Sequence, residues 1–150
     1  MRYVPQPIRG RFVFVDTSAY YAHVDARDAH YAAAQAFWRQ AEAHKLTLFT
    51  TNFVLAETHA LILNTRRLGY WIARRFVEGL LLTPLALERV LPQDEERAWA
   101  IICQYEDKPF TYVDATSFAV MERLGVQRAF AFDDHFRQYG FTVLPEEPGQ

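Results

Sequence analysis

The run Phe12-Val13-Phe14-Val15-Asp16-Thr17-Ser18 decides the architecture of this chain. Its first part is wholly β-branched or aromatic, with no polar residue at alternate positions, so it reads as a strand apolar on both faces. Such strands belong inside a parallel sheet covered by helices. The run then stops abruptly at a carboxylate and two hydroxyl residues, which is how a helix begins. Outward from here the alternation of strand and helix repeats. Spacing predicts helices over 19–24 and 29–44, the second with Ala33, Phe37, Trp38 and Ala41 inward. A short strand follows over 46–50. Thr51 or Asn52 then caps a helix running through Phe53, Leu55, Ala56, Ala60, Leu61, Leu63 and Leu68, with Gly69 as its stop signal. A further helix over 70–81 completes a helical hairpin, with Trp71, Ile72, Phe76 and Leu80 inward and Arg74 and Arg75 outward. Strand is expected over 83–90, helix over 94–105, helix from Val113 to a stop at Gly125, strand over 129–132, a turn or short helix over 133–139 and a last strand over 141–144. The expected fold is one α/β domain, residues 12–145, with a mostly parallel sheet of about four or five strands and helices on both faces. Residues 1–11 read as an arm and 146–150 as a tail.

Composition narrows the function classes. With 150 residues, 51% of them hydrophobic, the chain can bury a substantial core, which excludes disorder as its dominant state. Lys and Arg number 16 against 18 Asp and Glu, so any affinity for a polyanion has to come from a local patch. A single cysteine, Cys103, cannot close an internal disulfide and fits a reducing compartment, with the cytoplasm as the expected location. The segment 1–11 has arginines and prolines but no secretory cleavage pattern, and no apolar run approaches the roughly 18 residues of a membrane span.

In open parallel sheets, ligands bind beyond the carboxyl ends of the strands. Asp16 and Asp133 each directly follow an apolar strand run, and Asp114 opens a helix after the apolar stretch 110–113, aimed at the same edge. Each has a plain alternative as a helix N-cap. Glu57 shifts the balance, because Phe53 and Leu61 lie four residues to either side and place it on a stripe expected to face the core. A carboxylate there needs neutralisation, through Arg66, Arg67, a buried hydroxyl or a cation. Acids gathered within a few ångströms raise one another's pKa, and a divalent ion resolves the repulsion. All-oxygen ligands without organised His or Cys favour Mg²⁺ or Mn²⁺. Thr17, Ser18 and Thr116 suit hydrogen bonds to the ligand carboxylates, or equally helix caps. Asp134 is an alternative to Asp133, with helix capping its expected role.

The segments Phe14-Val15-Asp16-Thr17-Ser18-Ala19, Asn52-Phe53-Val54-Leu55-Ala56-Glu57, Val113-Asp114-Ala115-Thr116-Ser117-Phe118-Ala119 and Phe132-Asp133-Asp134-His135-Phe136 together resemble the PIN-domain ribonucleases. Within them the chain is most similar to the VapC-type toxins of bacterial toxin/antitoxin pairs, from about Phe12 to Leu144. The resemblance implies a PIN-like three-layer α/β/α sandwich in which Asp16, Glu57, Asp114 and Asp133 form a metal cluster for Mg²⁺ or Mn²⁺. It further implies RNA cleavage, a homodimer and inhibition by a small antitoxin. An RNA-processing nuclease outside toxin/antitoxin pairs, or a non-catalytic RNA- or protein-binding module, are the competing assignments.

Water activated by metal would leave a 5′-phosphate and a 3′-hydroxyl. A histidine pair is the rival chemistry, but His23, His30, His44, His59 and His135 show no pairing pattern; His135, beside Asp133, is the best placed of them. An acidic pocket repels RNA, so cations at its rim have to bind the backbone. Arg66, Arg67, Arg74 and Arg75 cluster at the hairpin turn and are candidates, unless acids such as Glu78 merely pair with them on a solvated face. Tyr20, Tyr21 and Trp38 are candidate stacking residues or core. Leu61, Leu68, Trp71 and Phe76 exceed what one small sheet covers, which points to a dimer interface.

Overall fold

A computed structural model of the protein describes residues 10–146, so the arm and the tail lie, except for residues 10, 11 and 146, outside the described residues. In chain order the elements are β1 (Phe12–Val15), α1 (Thr17–Val24), α2 (Tyr31–Ala43), β2 (Thr47–Thr51), α3 (Asn52–Leu63), α4 (Gly69–Leu82), β3 (Leu87–Glu88), α5 (Pro92–Gln104), α6 (Tyr112–Leu124), β4 (Arg128–Phe130), α7 (His135–Tyr139) and β5 (Thr142–Leu144). The five strands form one sheet in the order β3-β2-β1-β4-β5, every neighbouring pair parallel. β1 is the central strand, and Val13, Phe14 and Val15 are completely buried, as an all-apolar run requires. Because all strands run the same way, their carboxyl ends open on one edge, and α1 and α3 start there directly after β1 and β2.

Side chains from helices on both faces complete the core: Phe37 packs on Phe130 at 4.3 Å between ring centroids, and Phe14 is flanked by Phe49 and Phe136. Tyr20, Trp38 and Phe76 belong to this packing, Tyr20 meeting Phe76 at 5.1 Å. Tyr20 is buried, and Trp38 and Phe76 pack partly buried against the core.

Several expected boundaries shift. The helix from Thr51 ends at Leu63, not Leu68, because Asn64 and Thr65 side chains donate to the carbonyls of Ala60 and Leu61. Gly69, with φ +71°, opens α4 instead of closing α3. The strand expected over 83–90 shrinks to Leu87–Glu88, since Leu85 adopts a left-handed φ of +65° that a strand cannot contain. No strand precedes Asp114, which lies inside the first turn of α6.

Candidate active site

Asp16 is the hub of the acidic edge. Its N–H extends the central ladder to the carbonyl of Phe130 at 3.0 Å, and its side chain caps α1, accepting from the Ser18 N–H at 3.3 Å and from Ser18 Oγ at 2.7 Å. Ser18 Oγ in turn accepts from the N–H of Phe132 at 3.0 Å. One hydroxyl thus ties the end of β1 to the segment that carries Asp133. Asp133 is itself oriented locally, its Oδ1 accepting from the His135 N–H at 3.1 Å, so Asp133 and not Asp134 makes the turn into α7. Asp134 faces solvent and pairs with Arg137 at 2.9 Å.

The carboxyl group of Asp133 is near enough to that of Asp16 to act on it electrostatically. Burial of Asp16, only 3% exposed, pushes its carboxyl well above the usual carboxylate range. The charge of Asp133 adds to the rise, Asp114 contributes a smaller part, and the Ser18 hydroxyl works against it.

Asp114 is held to one side. It sits at the third position of α6 in a capping box, receiving the Thr111 N–H at 3.0 Å while Thr111 accepts from its own N–H. The same oxygen meets His135 Nδ1 at 2.6 Å. His135 therefore links two acids, through its backbone to Asp133 and its ring to Asp114. Its position two residues after Asp133 was the available sequence signal, but its partner is 21 residues away and only the fold supplies it. Among the described residues, no three acidic, histidine or cysteine side chains stand as a ready-made metal cage.

Glu57 corrects the sequence argument. It is exposed, and the buried stripe of α3 is Val54, Thr58 and Ile62, not Phe53, Glu57 and Leu61. Its neighbour Thr58 nevertheless donates to Thr17 Oγ1 at 3.1 Å, so α3 docks beside the first turn of α1 and Glu57 belongs to the solvent-facing side of that junction. Thr17 serves this docking. Thr116 turns away from the acids, its hydroxyl donating to the carbonyl of Val113 within its own helix at 2.9 Å.

The four hairpin arginines divide into two kinds. Arg67 binds the buried Asp25, which also receives the Tyr21 hydroxyl at 2.6 Å, and Arg74 pairs with Glu78 at 2.8 Å. The Tyr21 hydroxyl bond is the first cause holding Asp25 below the usual carboxylate range. Arg66 and Arg75 are exposed and hold no ion pair among the described residues. The turn carrying Arg66 and Arg67 lies past the end of α3 remote from the acidic edge, about 18 Å for a helix of 12 residues.

A five-stranded parallel sheet between helical layers, with opposed carboxylates at its carboxyl edge, is the signature of the PIN domain; residues 13–142 match that family, and the chain belongs to it. The chain is 38% identical over 135 residues to the 23S rRNA-specific endonuclease VapC20 of Mycobacterium tuberculosis, covering 89% of this chain and 99% of the relative. The crystal structure of that protein, described as a Sarcin-Ricin loop cleaving toxin, superposes with a TM-score of 0.78 over 87% of this chain and 96% of the other. The crystal structure of PAE2754 from Pyrobaculum aerophilum shares the fold, with a TM-score of 0.60 at 19% identity over 89% of this chain and 82% of that one.

Proposed function

We propose that this chain is a metal-dependent endoribonuclease of the VapC kind, hydrolysing RNA phosphodiester bonds around Asp16, Asp133, Asp114 and Glu57. The observation that carries this reading is the Asp16–Asp133 pair: two mutually interacting carboxyls, one of them buried, at the ligand-binding edge of the sheet. Such a pair demands a counter-charge, and an all-oxygen donor set fits Mg²⁺ or Mn²⁺. When bound, a divalent cation supplies that counter-charge and polarises both the scissile phosphate and the attacking water. Asp16, Asp133, Asp114 and Glu57 are the residues that would hold it.

The chain's own groups do the positioning. Ser18 locks Asp16 and fixes the segment that bears Asp133, while the His135 N–H orients the Asp133 carboxylate. Hydrolysis by water leaves a 5′-phosphate and a 3′-hydroxyl. Arg66 and Arg75 remain available to an extended RNA backbone. The 23S rRNA of the relatives' description is the first substrate to try, a small antitoxin the expected inhibitor, a homodimer the expected assembly and the cytoplasm the expected location. No helix among the described residues is long and apolar enough to cross a membrane.

The test is cleavage of purified ribosomal RNA with and without Mn²⁺. Activity should vanish in EDTA and return with the metal, and Asp16→Asn should lower it at least about 100-fold while the circular dichroism spectrum stays native. Cleavage that survives both chelation and the substitution defeats the mechanism.

A further inference from the structure

A cavity of about 780 Å³ opens at Asp133. Its wall includes Asp133 itself, together with His30, Phe37, Arg39, Phe132 and Arg137. We propose that this cavity is a nucleobase pocket, receiving one unpaired base of the RNA from a nucleotide flanking the scissile phosphate. The proposal rests on the endoribonuclease reading above and names the part of the substrate that reading leaves open.

The chemistry of the wall matches a flat, polar-edged aromatic ligand. The His30 ring lies parallel to Phe132, with centroids 4.5 Å apart and planes 9° from coplanar. Phe132 is half-buried, braced edge-on by Phe130 at 5.7 Å, whereas His30 is exposed, so the outer face of its ring is a platform open to a third ring. Its backbone is fixed at the start of α2 by an N–H bond to Asp28 Oδ1 at 2.8 Å. Two guanidinium groups stand around this platform. Arg39 holds no ion pair among the described residues, and Arg137 pairs with Asp134, which lines the cavity with it. Base stacking on aromatic or guanidinium planes, with cations for the adjoining phosphates, is how proteins read splayed single-stranded RNA. The volume lies within the range of about 300–1,000 Å³ usual for small-ligand pockets.

Placement decides which base is bound. Phe132 immediately precedes Asp133, and its N–H is the group that Ser18 links to Asp16. A base stacked on the His30–Phe132 pair therefore belongs to a nucleotide next to the cleaved bond, and its binding steadies the segment that carries the acid. A paired base cannot enter without leaving its duplex, so the substrate class is a loop, bulge or single strand. A second cavity of similar size, lined by Tyr20, Trp38 and Phe76 among others, shares no lining residue with this one and does not include the acids.

The experiment uses the full chain and a fluorescently labelled RNA hairpin with an unpaired loop. Binding is measured by anisotropy in EDTA and cleavage in Mn²⁺, for wild type, His30→Ala, Arg39→Ala and Phe132→Leu. Thermal melts confirm folding, which the first two, exposed positions should leave intact. His30→Ala should weaken binding about tenfold, with the loss in cleavage carried mainly by KM. An abasic nucleotide at one loop position should cost the wild type as much and His30→Ala nothing further, because the two changes remove the same contact. A wild type that cleaves while His30→Ala and Arg39→Ala bind and cleave alike overturns the pocket and leaves the nuclease standing. Variants that keep RNA affinity but lose a co-expressed protein inhibitor overturn it in favour of a protein-docking role. A wild type that neither binds nor cleaves RNA overturns both readings.

Discussion

Asp16 holds its proton more tightly when folded than when unfolded, and the sign of the resulting pH dependence follows. A carboxyl raised by burial and by Asp133 stabilises the metal-free fold fully below the unfolded aspartate value of about 3.9, and that contribution is lost as pH climbs through the raised folded value. The metal-free protein should accordingly melt lower at pH 8 than at pH 5. Asp16→Asn, which cannot ionise, should flatten the profile and melt about 2–4 °C higher than wild type at pH 8 in EDTA, the shift that about 1 kcal/mol produces in a chain of this size. Scanning fluorimetry across this range checks it; a variant that melts lower with an unchanged slope would show that Asp16 is not a source of repulsion. Asp16 could be placed from the sequence because an acid directly after an apolar strand is local information, whereas the strand expected over 129–132 ends at Phe130 and leaves Asp133 three residues beyond it. Glu57 could not be placed, because α3 is apolar on nearly every side and Phe53/Leu61 looked as good a buried stripe as Val54/Ile62. Nor does sequence spacing show that Asp114 is drawn toward His135, a partner that only the meeting of α6 and α7 creates.

At the scale of elements, the alternation of strands and helices was legible because the central strand β1 is a continuous apolar run, while the edges of the sheet were not. β3 is only two residues long and has little periodicity of its own. What secures this edge is a clasp between helices: Arg123 of α6 binds both oxygens of Asp94 at 2.9 and 3.0 Å and reaches Glu88 of β3 at 3.4 Å. Asp94 also receives the Leu91 N–H at 2.8 Å, closing the start of α5 behind Pro92. Asp94 is 2% exposed and the Arg123 side chain 7%, so removing the acid strands a buried cation as well as an uncapped helix. Asp94→Ala should cost roughly 3 kcal/mol in urea unfolding. RNA cleavage at 25 °C should persist, since the clasp lies at the β3 edge and not among the acids. A loss under about 0.5 kcal/mol, the level of an exposed pair, would mean that the clasp is solvated.

At the scale of the whole molecule, α4 carries an apolar surface that the core does not use. α4 buries Ala73 and Leu80, but turns Trp71, 67% exposed, and Leu82, 82% exposed, to solvent, with Tyr70 and Leu81 beside them. This face is poorly suited to a polyanion: Arg74 is neutralised by Glu78 and its guanidinium lies over the Trp71 ring at 5.4 Å. It suits a second copy of the chain, where a two-fold axis sets equivalent apolar residues against each other. A stable dimer buries about 1,200–2,000 Å² in total, which requires the patch to extend from α4 onto Leu61 and Leu63 of α3. Leu82→Glu and Trp71→Glu place like charges on that face in both copies at once. Sedimentation velocity at micromolar concentration should then give a dimer for the wild type and a monomer for either variant, with the far-ultraviolet spectrum unchanged because neither side chain belongs to the core. A wild type that sediments as a monomer would remove the self-association argument, and the exposed rings of α4 would have to be covered by a different protein.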